Sequence, residues 1–165
     1  MTAALLLAVP LLPLLLAALV PWRGMTRLQW LTPLAVLPGL AVVLFLPDGS
    51  HASYSWLIMG MDLQLDATGR VFLLLTTLLW GAAGLYGLGY LRGQDHTSRY
   101  HLFFLLAMSG NLGLVLAADA MGFYLFFALM SLSSYGLVVH AGGEAVYRAG
   151  RIYLIMAVIG ELLLF

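Results

Sequence analysis

The chain of 165 residues has no cysteine and no lysine, and charge of either sign is scarce. Without cysteine there is no disulfide, no thiolate metal site and no cysteine-held iron–sulfur cluster. Charged residues make up 8% of the chain, whereas a soluble globule carries about a quarter. With 63% hydrophobic residues and a mean hydropathy of +1.02, the chain cannot cover itself with a water-facing surface. Its solvent is lipid. Seven arginines balance seven acids, which leaves no basic face for nucleic acid and makes bilayer positioning their obvious use. There is no glycine-rich phosphate loop and no nucleophile elbow. None of the four histidines pairs with another at metal-ligand spacing on one helix. No cofactor, metal or catalytic residue is expected. Electron transfer, where there is any, belongs to a partner.

What is present is a series of apolar stretches. At about 20 residues per span, the length accommodates about six transmembrane helices. The pattern predicts an all-α polytopic membrane protein. The first span runs roughly from Ala3 to Val20, with Pro10 and Pro13 inside it. A cleaved signal peptide needs a basic segment before its apolar core; here Arg23 and Arg27 come after it. The second span is roughly Leu28 to Leu46, with Pro33 and Pro38. Residues 47–69 form the longest polar segment. Within it, 54–57 and 61–65 alternate in polarity around Gly60, which predicts a short β-hairpin on the extracytoplasmic surface. The third span, roughly Arg70 to Leu91, carries Gly81, Gly84 and Gly87 in a row that lets another backbone approach closely.

A polar loop at 92–99 leads to the fourth span, HLFFLLAMSGNLGLVLA, and a turn follows at Ala118–Ala120. The fifth span, MGFYLFFALMSLSSYGLVVH, leads into a polar loop holding Glu144, Arg148 and Arg151. The sixth span is IYLIMAVIGELLLF. Arg23 and Arg27, Arg92 and Arg99, and Arg148 and Arg151 fall in three loops on one side of a six-span chain. The other side holds Asp48, Asp62, Asp66 and Asp119, with Arg70 as its basic residue. The positive-inside rule then predicts a multi-pass protein of the inner (cytoplasmic) membrane with its N-terminus outside.

Glu161 lies ten residues past Arg151, about 15 Å into a hydrocarbon core roughly 30 Å thick. A carboxylate there is costly unless paired, hydrated or protonated, so it is by default a functional candidate. On the fifth span, Ala128, Ser131 and Tyr135 share a face, with Ser134 nearby. Such a face can hold water, although serines also bond back to their own helix. Asn111 lies midway along the fourth span and is expected to bond across helices. His101 and His140 fall near the membrane edge, where a histidine is either hydrated or passes protons.

FYLFFALMSLSSYGLVVH and YRAGRIYLIMAVIGELLLF resemble the transmembrane domain of complex I (NADH:quinone oxidoreductase) antiporter-like subunits and multisubunit sodium/proton antiporters. Membrane-bound hydrogenase complexes share that domain. The likeness is strongest over residues 100–165, and the stretch from Ser55 to Phe72, with Asp66 just before the third span, is similar to the segment that precedes the domain. The resemblance implies a partial antiporter-type fold, drawn from about fourteen helices with two inverted repeats, and a chain that is an N-terminal fragment truncated in helix six. It implies a non-catalytic, proton- or cation-translocating subunit of a respiratory or hydrogenase-like complex, partnered by lipid, other membrane subunits and protons or sodium ions. An antiporter subunit without redox coupling, or a non-conducting structural fragment, is the alternative. The family's proton path uses a glutamate on the fifth helix and lysines on later ones. Alignment on SLSSY puts Ala128 at the glutamate position. Glu161 on the next helix is the candidate replacement, bonding toward Ser131, Ser134 and Tyr135 and fed from His140.

Overall fold

The computed structural model describes residues 2–23, 29–55, 60–91, 97–140 and 142–164. Arg27, Leu28, Trp56, Leu57, Arg92 and His96, which the sequence reading assigned to loops, a strand and a span edge, lie outside the described residues. Helix α1 spans Thr2–Arg23 and passes through Pro10, Pro13 and Pro21. One face of it, Leu6, Val9, Ala17 and Val20, is buried. The Ser109 hydroxyl donates to the Pro10 carbonyl at 2.7 Å, a cross-helix bond of the kind that makes proline tolerable in a membrane helix.

The second apolar stretch is not one helix. It runs as 3-10 turns at Gln29–Leu31 and Pro33–Val36, followed by α2, Leu37–Phe45. Proline removes a donor and clashes with the preceding turn, and with Pro33 and Pro38 the segment tightens into 3-10 geometry before a short α-helix. Gly84 on the third span makes room for it. A side chain there would sit 3.2 Å from the Pro33 backbone. Gly81 faces Val36 and Gly87 faces Tyr100, so the glycine row is a contact face within this chain.

The expected hairpin is present with its first strand moved. Strand β1 is Ser50–Tyr54 and β2 is Met61–Leu65, antiparallel, with Ser50 opposite Leu65 and Tyr54 opposite Met61. Of the described residues of the segment assigned from the pattern to the first strand, Tyr54 belongs to β1 and Ser55 follows it. The driving force is inward burial of Ala52 and Tyr54 against Met61, Leu63 and Leu65, with His51 and Ser53 turned outward.

Helix α3 is Ala67–Tyr90, α4 is Thr97–Leu116, α5 is Ala120–Val139 and α6 is Glu144–Leu164. The polar loop expected around Glu144, Arg148 and Arg151 is instead the first two turns of α6. The turn is made at Gly142 and Gly143, both in the left-handed region, and Glu144 in the first helical turn suits the positive end of the helix dipole. Four described helices, α1, α3, α4 and α5, are long and apolar enough to cross a membrane, while Gln29–Phe45 is shorter. Helix α4 is the centre of the bundle: Phe104, Leu105, Met108, Leu112 and Leu116 are buried among α1, the hairpin and α5. At Gly110 a side chain would meet the Met130 nitrogen at 2.6 Å, so α4 and α5 touch backbone to backbone. Connectivity places Arg23, Arg99, His140 and Arg148 at one end of the bundle and the hairpin at the other.

Candidate functional site: polar groups within the helix bundle

At the hairpin end the polar groups are matched. Asp119 caps α5, its Oδ1 accepting from Gly122 N–H at 2.6 Å and its Oδ2 from Asp62 N–H of β2 at 2.9 Å. The Ala118 N–H donates back to the Asp62 carbonyl at 2.9 Å. Partial burial pushes the Asp119 carboxyl up, but the backbone donors Asp62, Gly122 and Met121 outweigh it and hold the group below its ordinary value. Arg70 donates from Nε to Asp48 at 2.6 Å and from its two terminal nitrogens to the Val43 and Leu46 carbonyls. It thus closes the C-terminal end of α2, where unpaired carbonyls favour a cation. Asp66 caps α3 by accepting from Gly69 N–H at 2.5 Å. The Tyr54 hydroxyl donates to the Ala3 carbonyl, and burial pushes its pKa above the ordinary tyrosine value.

Mid-bundle, Asn111 bonds across helices. Its Oδ1 accepts from the Trp80 indole N–H of α3 at 2.9 Å, and its Nδ2 lies 3.3 Å from the Met130 sulfur of α5. Ser134 bonds back to the Met130 carbonyl at 2.8 Å, the local bond a helical serine makes without any further role. Ser131 is buried, and its carbonyl is reached by the Tyr153 hydroxyl of α6 at 3.5 Å. Tyr135 packs near Gly150.

Glu161 is therefore not beside Ser131, Ser134 and Tyr135. Helices α5 and α6 are antiparallel neighbours, and Gly150 lies between Tyr135 and Val139. Glu161 is eleven residues further on, about 16 Å along the helix, which brings it level with residues 124–128 of α5. Ala128, the position where the resemblance puts a glutamate, lies in that layer. The Oε1 atom of Glu161 is buried without a hydrogen-bond partner among the described residues. An unmade bond of this kind costs about 1–3 kcal/mol, and more for a charged group.

The arginine end differs from expectation at its first histidine. His101 is buried, 1% exposed. Its Nδ1 is 3.2 Å from the Thr32 hydroxyl, in the broken second span. Its Nε2 has no partner among the described residues. His140 lies at the C-terminal cap of α5, with Nδ1 2.6 Å from the Leu137 carbonyl. A carbonyl only accepts, so Nδ1 carries the hydrogen. Tyr100 stands edge-on to both rings, 5.5 Å from His101 and 5.4 Å from His140 between centroids. Among the described residues no group of three or more His, Asp and Glu side chains gathers to hold a metal ion.

A membrane protein of several helices, with a hairpin closing one end and polar groups buried in the bundle, is the class that this arrangement defines. No protein-family model matches the sequence. The Na(+)/H(+) antiporter subunit A1 of Staphylococcus aureus strain bovine RF122 / ET3-1 is 36% identical over 80 residues, which is 48% of this chain and 10% of that protein. The same subunit from strain JH9 matches to the same extent. The chain thus aligns with about a tenth of the length of these curated relatives. A solved structure, the membrane-bound sulfane sulfur reductase, an archaeal respiratory membrane complex, superposes on 96% of this chain and 34% of its own with a TM-score of 0.71 at 19% identity, which supports the fold. Over those 80 residues the chain is similar to a subunit of a multisubunit antiporter, and its fold is that found in part of a membrane subunit of a respiratory complex.

Proposed function

We propose that this chain forms part of a proton- or cation-translocating membrane subunit in a respiratory, NADH–quinone oxidoreductase-like or hydrogenase-like complex. Residues 100–165 begin the transporter domain and 1–99 precede it. The redox step runs on partner subunits. The protein sits in the cytoplasmic membrane, N-terminus outside, and works with other membrane subunits on protons or sodium ions.

The observation that carries this reading is Glu161. Its Oε1 is buried and unmatched on α6, at the level of Ala128 on the neighbouring helix. A non-conducting scaffold gains nothing from an unmatched intramembrane carboxylate, whereas a carrier of protons needs a group that can be loaded and emptied. Ser131, Ser134, Tyr135, His140 and Asn111 line the neighbouring helices in this scheme. Ser134 and Asn111 are engaged in structural bonds, and Glu161 is the group that changes state. The test is proton flux in membrane vesicles carrying the native assembly. Glu161→Gln lowers flux at least tenfold, and Ala128→Glu added to it restores a measurable part. Unchanged flux in Glu161→Gln removes the residue from the mechanism. Repeating the assay with and without sodium identifies the ion.

A further inference from the structure

Resting on the reading of the chain as an ion translocator, we propose that His101 exchanges protons with water at the arginine end of the bundle and feeds them toward the translocation path. Three observations meet at this residue. Its ring is 1% exposed, yet Nε2 has no partner. Its other nitrogen is held by Thr32 at 3.2 Å. Thr32 is itself held in place by the break in the second span. The Thr32 N–H donates to Gln29 O, the Ala35 N–H donates to Thr32 O, each at 3.2 Å, and Pro33 is seated against Gly84. Irregular backbone within a membrane segment is tolerated where it is enclosed by protein or lines a watered cavity. Here it delivers a hydroxyl to a histidine.

The hydrogen bonding is consistent with one assignment throughout a proton cycle. Nδ1–H donates to the Thr32 oxygen in both states. In the neutral state Nε2 offers a lone pair. It takes a proton from a hydrated proton, leaving water and an imidazolium with both nitrogens protonated. It then returns that proton from Nε2 to the next water or acceptor, and the neutral ring is restored. No heavy-atom bond is made or broken. The groups facing His101 fit such a step. Tyr100 stands against it on α4, and beyond Tyr100 is His140 of α5. The second span contributes uncharged Thr32. Helix α3 brings Gly87 against Tyr100, while its Tyr86 and Tyr90 are exposed. Helix α1 buries Ala17 and Val20, and Arg99 on α4 is exposed.

The chain's lack of cysteine gives a direct test. In the native assembly, single replacements His101→Cys, Arg99→Cys and Leu105→Cys are exposed to a small neutral methanethiosulfonate reagent. Reaction requires the thiolate, and so requires water. The proposal predicts that His101→Cys is labelled within about tenfold of the exposed Arg99→Cys control, although the native ring is buried. Labelling as slow as at buried Leu105→Cys overturns it. A second measurement covers a variant that fails to assemble: the pH profile of proton flux. His101→Asn keeps a hydrogen bond to Thr32 and removes one titration step from the profile, and Thr32→Val shifts the midpoint of that step. A wild-type profile in His101→Asn overturns the proposal. Slow labelling with intact flux counts against His101 alone. Rapid labelling in an assembly without flux upholds water access at His101 and removes the translocator reading.

Discussion

The hairpin end and the helices behind it treat polar atoms differently. At the hairpin end Asp119, Arg70, Asp66 and Tyr54 each find backbone partners. Within the bundle, Thr77 Oγ1 on α3, His101 Nε2 on α4 and Glu161 Oε1 on α6 are buried without one among the described residues. The difference teaches where stability is made and where it is spared. Matched groups fix the lid of the bundle. Unmatched ones cost stability, which the apolar packing of α4 offsets. Ser134 sharpens the contrast: it lies on the helix facing α6, yet its bond is a local one.

Substitutions should break this contrast in a graded way. Arg70→Ala strips two carbonyls at the end of α2 and an ion pair to Asp48, and is expected to cost about 2–3 kcal/mol. It should give the largest drop in the melting temperature of the purified assembly. Asp119→Ala loses the α5 cap and the tie to β2, for about 2 kcal/mol. The same carboxyl sets a pH dependence. Its folded-state value lies below the ordinary 3.8, so its contribution is complete above that value. The contribution is lost as pH falls through the lower folded value. Acid melting curves of wild type should therefore show a loss that Asp119→Ala lacks. Asn111→Leu leaves the Trp80 N–H unpaired, for about 1–2 kcal/mol, visible as a smaller melting shift. Ser134→Ala should change both stability and flux least, with stability moving within about 0.5 kcal/mol.

Much of the fold was legible from hydropathy. The positions of α1, α3, α4 and α5, the turn at Asp119, the two-strand loop and the glycine contact row all follow from apolar runs, turn residues and small-residue spacing. The break in the second span was signalled by Pro33 and Pro38, but the amount of 3-10 structure depends on the fit against Gly84, which is a tertiary matter. The start of α6 was misjudged because Glu144, Arg148 and Arg151 are polar; polarity marks solvent contact, and a helix runs into solvent as readily as a loop. The first strand was placed too late because alternation alone does not say which face is buried. Arg70 as a helix cap, Asp119 as a clasp on β2 and the Thr32–His101 pair were missed. Their partners lie 22, 57 and 69 residues away, beyond the reach of any local pattern. At the candidate site the sequence isolated Glu161 from its apolar surroundings, whereas its level on α5 required the Gly150 contact.

The most direct measurement is melting temperature and proton flux recorded side by side for Glu161→Gln in the native assembly. The account predicts flux down at least tenfold with a melting temperature equal to or above wild type, since a neutral amide replaces an unmatched carboxylate. Wild-type flux, or a melting temperature lowered as far as in Asp119→Ala, would contradict it.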